Sequence, residues 1–517
     1  MATIAQGQDM AAVHVAPVPK AIATALVMAA TILVVLDQTI ATVALPHMQA
    51  ALGATPETIN WVLTSYILAT SVGIPLTGWL SGRVGRARLF GICIIGFTIS
   101  SAVCGFAVSL PMMVAARLVQ GFFGAFLMPM SQSFLYDMNA PSQQVRAMTI
   151  WGVGVMVGPL AGPVLGGYLT ETFDWRWVFF INVPIGLVAA LGIFATLPAF
   201  PAVRRKFDHL GYALIVVALC SMQLALDRGS QLDWFDSTEI LIECGISVSA
   251  FWMLLFHLFN AREPIFSLAL FRDRSFSAAL VMTTTVMPVM IAATALLPSL
   301  LQTLMGYPAT LAGLLSLPRG LAMTVGIILG GRLFRHFGAR LQVVLGLCFT
   351  IFSMWLHTRI ELNMDSHLII WAGLAQGLGT GLAATVLNFV AVAHAPVALR
   401  TDAAALYNLA RNTGSSVMIA VFTAILAHNI QVNHAEIGAH VGSANAPFLL
   451  SQMMGGTDLA ERLAAMANAE VTRQAMMIAY IDDYWLMMWV MLAVVPLAIL
   501  LGNERPAARS DEVIIAE

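Results

Sequence analysis

The sequence predicts an all-α, polytopic membrane protein, and its composition and its hydrophobic patterning both support this fold class. Of its 517 residues, 59% are hydrophobic and 10% are charged, and the mean hydropathy is +0.84. Soluble domains carry about 25% charged residues. Apolar runs of about 18 to 25 residues, the length that a helix needs to cross the hydrocarbon core of a bilayer, recur fourteen times. The chain is therefore predicted to cross a membrane fourteen times.

Short polar or charged breaks separate the fourteen apolar runs. The first run contains Asp37 and is too long for the apolar region of a cleaved signal peptide, so we predict that it is the first membrane helix. The predicted helices are approximately 21–45, 58–80, 88–109, 111–135, 148–170, 177–197, 209–226, 238–258, 276–300, 310–331, 341–359, 367–392, 404–428 and 479–502.

The basic residues fall mostly on one side of this topology. With the N-terminus inside, seventeen of the 25 Lys and Arg residues lie in cytoplasmic segments and five in outer loops, while Arg117, Arg319 and Arg411 lie within apolar runs. By the positive-inside rule, both termini are predicted to be cytoplasmic. The five cysteines are scattered singly, which predicts neither a disulfide framework nor a metal site.

An internal repeat divides the chain. Gly78-Trp-Leu-Ser-Gly-Arg83-Val-Gly85 returns as a similar segment from Gly331 to Gly338 at an offset of 253, and Gln120-Gly121 returns as Gln376-Gly377 at an offset of 256. Nearly equal offsets predict two homologous six-helix bundles. The predicted divisions are a tail at 1–20, a first bundle at 21–198, a linker with two extra helices at 199–275, a second bundle at 276–502 with an outer loop at 429–478, and a tail at 503–517.

Several motifs carry a family resemblance that covers nearly the whole chain. Gly78 to Arg88 resembles the loop signature of the major facilitator superfamily, although Gly82 stands where the family usually has an acid, and Arg117-Leu-Val-Gln120-Gly121 resembles its fourth-helix signature. Gly154 to Gly167 is similar to the antiporter signature of its drug exporters. The segments 36–46 and 175–186 resemble the fourteen-helix drug/proton antiporter branch, and 226–235 with the long outer loop is most similar to the EmrB type.

The resemblance implies a major facilitator fold of two six-helix bundles with two inserted central helices. It implies multidrug efflux, meaning proton-driven export of hydrophobic or amphipathic toxic compounds by alternating access across a bacterial inner membrane. The proton gradient would be the energy source, without a cofactor. The EmrB type further implies a periplasmic adaptor and an outer-membrane channel as partners, together with small-molecule substrates, membrane lipid and no nucleic acid.

Other functions stay open at this point. The chain would also fit an exporter of one specific metabolite, whereas the antiporter-like fifth helix argues against a proton-coupled uptake symporter. A non-transporting membrane sensor is a further alternative, although it would not explain why Asp37 and Arg117 lie within membrane helices. We predict that the protein is not an enzyme, because the sequence has no G-x-S-x-G, H-E-x-x-H or nucleotide-binding loop.

Asp37 and Arg117 are the predicted proton-coupling residues. A carboxylate at the centre of a membrane helix costs about 2.5–3.5 kcal/mol, so such a residue normally faces a cavity or a partner. At about 1.5 Å per residue, the two side chains lie roughly 12 and 9 Å below the outer surface. Similar depth allows them to pair. An aspartate that alternates between this pairing and a proton would couple proton entry to a conformational change. The alternatives are a fixed structural salt bridge and a polar residue at a helix end.

The antiporter-like stretch has glycines at every fourth position, with Gly154, Gly158, Gly162 and Gly166 separated by Pro159 and Pro163 and followed by Gly167. A phosphate-binding turn is excluded, because Val157 breaks the G-x-G-x-x-G spacing and the flanks are apolar. Two interpretations remain. One is plain close packing of a small-residue face. The other, implied by the resemblance, is a bent helix at the interface between the bundles that prevents leak and favours export.

Polar residues within the apolar runs are the predicted substrate-cavity residues, although such side chains also bond neighbouring helices. Arg319 is deep enough that it is a candidate contact for an anion or carboxylate. Gly373 stands where Arg117 would repeat, so the bundles differ in chemistry. The predicted cavity residues are Gln38, Gln120, Arg319, Gln376, Asn388, Asn408 and Arg411.

Two exposed segments complete the predictions. By the resemblance, Gly78, Arg83 and Gly85 belong to a loop that clasps neighbouring helix ends and controls opening. The stretch from Asp458 to Ala479 in the outer loop has helical periodicity and is predicted to continue the last helix outward, as a docking surface for a partner. Histidines at 428, 434 and 440 with Glu436 fit no common ligand spacing, so no metal site is predicted.

Overall fold

The computed structural model describes residues 20–196, 206–229, 231–232, 234–362, 364, 366–393, 395–396, 399–440 and 457–502. The predicted tails, apart from Lys20, lie outside these residues, as do the start of the linker and the middle of the outer loop. Within the described residues the regular structure is helical, and fourteen helices are long and apolar enough to cross a membrane. The predicted fold class is confirmed.

The membrane helices are numbered here in chain order. They are α1 (Lys20–Leu52), α2 (Trp61–Val84), α3 (Arg86–Gly105), α4 (Leu110–Asp137), α5 (Pro141–Thr172), α6 (Trp177–Thr196), α7 (His209–Gly229), α8 (Thr238–Asn260), α9 (Arg274–Leu304), α10 (Leu311–Phe334), α11 (His336–His357), α12 (His367–Ala393), α13 (Arg400–His440) and α14 (Ala465–Leu500).

The repeat is visible in the backbone. Gly85 separates α2 from α3 with φ +93°, and Gly338 breaks the backbone between α10 and α11 with φ +77°. Both are conformations that side chains other than glycine rarely adopt, and the two glycines are related by the offset of 253. The same turn therefore recurs at the same place in each half.

Much of the predicted outer segment at 429–478 is helical. The helix of α13 continues to His440, and the helix that contains α14 begins at Thr457. The predicted helical continuation from Asp458 to Ala479 is confirmed. Residues 429–440 contain no proline and one glycine, so nothing in that stretch ends the helix. His434 Nε2 lies 3.0 Å from Asn468 Oδ1, which joins the two extensions.

Helices α1–α6 and α9–α14 surround cores rich in aromatic and methionine side chains, and α12 and α13 also contribute buried side chains to a core of the first bundle. The inserted helices α7 and α8 pack against each other, and α7 also contacts α2 and α13. On α8 the large side chains of Trp252, Phe256 and Phe259 are exposed. In a bilayer these apolar side chains face lipid, so α8 is a peripheral helix.

Candidate transport site

Asp37 of α1 and Arg117 of α4 form an ion pair inside the first bundle. Arg117 Nη1 donates to Asp37 Oδ2 at 2.6 Å, and each side chain is 1% exposed. The prediction from depth that the two residues can pair agrees with this contact. Two buried charges at such a distance are stable only with further hydrogen bonds to their remaining polar atoms.

Three neighbours supply those hydrogen bonds. Gln120 Nε2 donates to Asp37 Oδ1 at 2.8 Å, while Gln120 Oε1 accepts from Arg117 Nη1 at 2.8 Å. Asn182 Nδ2 of α6 also donates to Asp37 Oδ1 at 2.8 Å. Arg117 Nε donates to the Val62 carbonyl of α2 at 3.1 Å. Side chains of α4 and α6 thus hold the carboxylate of α1, and α2 joins them through Arg117, so a change in the charge of Asp37 alters contacts among α1, α4 and α6.

Aromatic rings cover the guanidinium. The centre of the Tyr66 ring lies 4.3 Å from Arg117 Cζ, and that of Phe179 lies at 5.8 Å. A ring face close to a desolvated cation contributes about 2 kcal/mol or more. The rings therefore stabilise Arg117 as a cation even when its partner changes charge.

The glycine stripe of α5 packs against α1, within the same bundle. A Cβ at Gly158 would lie 2.7 Å from the Val35 carbonyl oxygen, and one at Gly166 would lie 3.2 Å from Val43 Cβ. Thr39 Oγ1 donates to the Gly158 carbonyl at 3.1 Å. Because these contacts flank Asp37 in sequence, the stripe fixes the helix that carries the predicted coupling acid.

The opposite side of α5 faces the second bundle. A Cβ at Gly320 of α10 would lie 2.5 Å from Leu160 Cδ2, and one at Gly152 would lie 3.1 Å from Ile327 Cγ2. The helix is therefore at the interface between bundles, but its glycine stripe is not the surface that meets the other bundle. Pro163 is exposed, and Gly167 has open space beside it, so neither packs as the stripe does.

A cavity of about 570 Å³ lies between the two bundles. Its wall combines apolar side chains, among them Trp151 and Met156 of α5, with polar side chains from both bundles. Arg117 forms part of this wall, so the Asp37–Arg117 pair borders the space. A volume of this size is typical of small-molecule sites.

The structure brings together five of the seven predicted cavity residues. Gln38, Arg319, Gln376, Asn388 and Arg411 line the cavity. Gln120 does not, because both ends of its amide bind the ion pair. Asn408 does not either, because it is buried against α4 and donates to Gln132 Oε1 at 3.1 Å.

A sequence profile described as the Major Facilitator Superfamily matches residues 27–419. The chain belongs to the Major Facilitator Superfamily. It is 32% identical over 462 residues to the multidrug export protein EmrB of Escherichia coli strain K12, covering 88% of this chain and 90% of that protein. It is 32% identical over 411 residues to the fatty acid resistance protein FarB of Neisseria gonorrhoeae, covering 79% and 81%.

A superfamily transporter of known structure has the same fold. The crystal structure of the human organic anion transporter MFSD10 aligns with a TM-score of 0.60 at 14% identity, covering 92% of this chain and 100% of that chain. The resemblance predicted from the motifs is confirmed by these relatives.

The superfamily loop at 78–88 joins the bundles through a residue that the sequence analysis did not choose. Asp137, at the end of α4, accepts from Arg86 Nη1 at 2.7 Å and from Arg400 Nη1 of the second bundle at 2.5 Å. We call these three residues the Asp137 clasp. The predicted Arg83 is exposed and lies over the Trp79 ring instead.

An acid also lies against the loop from the other bundle. Asp402 of α13 is buried beside Gly78, where a Cβ would overlap its carboxylate. The loop itself has Gly82 in place of the usual acid, so the acid at this contact comes from the second bundle. Only glycine at position 78 permits this approach.

We expect Asp137→Asn to weaken closure at the predicted cytoplasmic end, because a neutral amide has no negative charge to attract Arg86 and Arg400. The measurement is electron–electron resonance between spin labels on Arg88→Cys and Arg332→Cys, which are exposed residues of different bundles, in a background without the five native cysteines. The variant should add a population at longer distance. Asp273→Asn is the matched control, since Asp273 only caps α9 and asparagine caps equally well. Unchanged distances in Asp137→Asn would contradict the role of the clasp.

The sequence analysis missed Asn182, Asp137, Arg400 and one buried acid, Asp483. Asp483 is fully buried in α14, and neither carboxylate oxygen has a hydrogen-bond partner among the described residues. Charged residues within the final apolar run were the available signal. Among the described residues, no group of three or more His, Cys, Asp or Glu side chains is arranged to hold a metal ion.

Proposed function

We propose that this protein exports hydrophobic and amphipathic toxic compounds from the cytoplasm in exchange for protons. The observation that carries the proposal is a buried carboxylate–arginine pair on the wall of a large cavity between two bundles. Its relatives include a multidrug export protein and a fatty acid resistance protein, which supports the same substrate range. No catalytic chemistry is required, and the proton gradient supplies the energy.

Proton exchange acts through Asp37. When Asp37 is ionised, Arg117, Gln120 and Asn182 all donate toward it and hold α1, α4 and α6 together. A proton on Asp37 removes its attraction to Arg117 and leaves fewer acceptor positions for these donors. The helices then separate more easily, so protonation favours one bundle arrangement and deprotonation the other.

The two arrangements differ in which end of the cavity is closed. In the present arrangement the Asp137 clasp joins the bundles at the predicted cytoplasmic end, and Ser133 Oγ lies 3.3 Å from Thr401 Oγ1 beside it. The cavity wall includes Gln38, Thr42 and Leu63 from the opposite half of the first bundle. This arrangement fits the outward-facing state, from which substrate leaves and a proton enters.

The proposed location is a bacterial inner membrane with both termini in the cytoplasm. A periplasmic adaptor and an outer-membrane channel are the proposed partners. The 41 residues of α13 extend roughly 60 Å at 1.5 Å per residue, about twice the hydrocarbon thickness. Together with the helix that starts at Thr457, α13 therefore projects from the outer face, as a docking surface for an adaptor requires.

Everted vesicles test the proposal. In vesicles from a host without other efflux pumps, respiration acidifies the interior, and export appears as uptake. We expect vesicles with this protein to accumulate the neutral dye N-phenyl-1-naphthylamine, and nigericin to abolish the accumulation by collapsing the pH gradient. Addition of the dye should also release vesicle protons, measured with acridine orange. Accumulation that nigericin leaves unchanged would contradict proton exchange, and vesicles without the protein are the control.

A further inference from the structure

In the first bundle, Asp37, Arg117, Gln120 and Asn182 form the proposed coupling network. The second bundle has a glutamine at the position of Gln120 but no acid at the position of Asp37. The offset of 253 places Met290 at the position of Asp37, and the offset of 256 places Gln376 at that of Gln120. Gln120 Nε2 donates to the Asp37 carboxylate, whereas Gln376 Nε2 donates to the Met290 carbonyl at 3.3 Å. The pairs are equivalent in contact as well as in sequence, and the charge is present in only one of them.

The second bundle nevertheless retains an arginine, on the neighbouring helix. Arg319 of α10 stands at the position of Tyr66 and Gly373 of α12 at that of Arg117. A Cβ on Gly373 would lie 3.4 Å from Arg319 Cβ, just as Tyr66 and Arg117 are in contact in the first bundle. The arginine of the first bundle is on α4, whereas that of the second bundle is on α10, the equivalent of α2. The thioether of Met290 stands where the first bundle has the carboxylate of Asp37.

Arg319 therefore faces the cavity without a compensating charge. Its Nη1 is buried and has no hydrogen-bond partner among the described residues. The wall also contains Arg117, which is paired with Asp37, and Arg411, which contacts Met128 Sδ at 3.6 Å. No Asp or Glu belongs to the described residues that line the cavity. Asp483, the buried acid of α14, is not on this wall and makes no ion pair within the part of the chain that the structure describes.

We propose that this cavity selects amphipathic anions, with an organic carboxylate or sulfonate bound at Arg319 and Arg411. A buried cation without a partner costs free energy, which a bound anion recovers through charge-assisted hydrogen bonds. Five methionines line the same cavity and suit apolar bodies of varied shape: Met128, Met156, Met287, Met290 and Met323. The uncompensated positive charge also disfavours cations. This inference rests on the proposed export function and adds the charge class of its substrates.

The test compares two dyes that share one skeleton. 8-Anilinonaphthalene-1-sulfonate is the sulfonated form of N-phenyl-1-naphthylamine, so the pair isolates the negative charge. In the everted vesicles, we expect the wild type to transport the sulfonate at the lower KM. Arg319→Gln should lower the transport ratio of sulfonate to neutral dye about tenfold, equivalent to about 1.4 kcal/mol. Arg319→Lys should restore part of the ratio. Arg359→Gln is the matched control, because Arg359 is exposed and lies over Trp355 outside the cavity.

A second test introduces an acid into the second bundle. Met290→Asp places a carboxylate where the first bundle has one, next to Gln376 and on the cavity wall. We expect the new acid to neutralise Arg319 and lower the same ratio at least as far as Arg319→Gln does. Met290→Asn, which adds polarity without charge, should lower it less. Equal ratios in these two variants would overturn the inference.

The remaining outcomes separate this inference from the proposed function. Transport of the neutral dye and of the cation ethidium, with no preference for the sulfonate, would overturn anion selection and leave the exporter intact. If Arg319→Gln lowers transport of both dyes equally, with no change in their ratio, Arg319 has a structural role, and anion selection is again overturned. Failure of the wild type to transport any of the three probes would contradict the export function, and anion selection with it.

Discussion

Asp37→Asn is expected to abolish export against a gradient while leaving downhill exchange of substrate intact. The amide has the same shape as the carboxylate but does not bind and release a proton. The exchange of dye across a membrane without a proton gradient needs only the two bundle arrangements. In the proposed mechanism, active export needs Asp37 to change charge in each cycle, and the variant has lost that step.

The measurement uses purified protein reconstituted in liposomes with N-phenyl-1-naphthylamine. With an imposed pH gradient, we expect wild-type liposomes to concentrate the dye and Asp37→Asn liposomes to reach only equal concentrations. Without a gradient, exchange of preloaded dye should remain in both. Accumulation by Asp37→Asn that still depends on the gradient would show that the coupling proton is carried elsewhere, and Asp483 would be the next candidate.

Two controls separate coupling from stability. Removing one partner of a buried ion pair costs about 3–5 kcal/mol, because the other charge is left uncompensated. The double variant Asp37→Asn with Arg117→Gln removes both charges, so we expect its thermal stability to exceed that of the single variant while active export remains absent. Asp174→Asn makes the same substitution in an exposed ion pair with Arg176 and should have little effect on transport.

The sequence predicted the membrane helices well, because hydropathy and helix length are local properties. The depth of Asp37 and Arg117 followed from counting residues along two helices, and similar depth was enough to predict that they could pair. The contacts of Gln120 and Asn182 with this pair were harder to predict. Gln120 was predicted to line the cavity, but its rotation about α4 turns it to Asp37. Asn182 was part of a recognised motif, yet no local pattern indicates which helix it contacts.

Contacts between bundles were the least predictable part of the site. The loop signature pointed to Arg83, while the ion pair belongs to Arg86, three residues later. Asp137 binds Arg86 and also Arg400, which is 263 residues away from Asp137 in the chain. A charge-charge contact over that separation depends on how the two bundles pack as whole bodies, which helical periodicity does not report. Asn408 was misassigned for the same reason, since its contact is a residue of the other bundle.

The glycine stripe was recognised from its spacing, but its partner was not. A repeat of four residues places glycines on one face of α5 without saying which helix approaches that face. The structure gives α1 as the partner, with Val35 and Thr39 in contact. This assignment changes the expected consequence of a substitution in the stripe, because α1 carries Asp37.

Gly158→Ala is therefore expected to impair proton-driven export severely, although it adds only one methyl group. The new Cβ would lie 2.7 Å from the Val35 carbonyl oxygen, which is backbone and has no rotamer to change. Relief to an ordinary contact near 3.5 Å needs a shift of about 1 Å. Overpacking of this kind costs about 1–3 kcal/mol. Misplacement of reacting groups by about 1 Å lowers rates roughly 100-fold, so we expect a loss of similar size.

Gly167→Ala is the matched control for this substitution. It is the same change in the same helix and in the same antiporter-like stretch, but a Cβ there meets nothing within 4 Å. Alanine also favours a helix over glycine by about 1 kcal/mol, so Gly167→Ala should be at least as stable as the wild type. The measurement compares the initial rates of gradient-driven dye uptake by the two variants, with thermal stability measured on the same preparations. If the two variants lose transport equally, the stretch acts through helix flexibility, and if only Gly158→Ala loses it, the stretch acts by holding α1 and its acid in place.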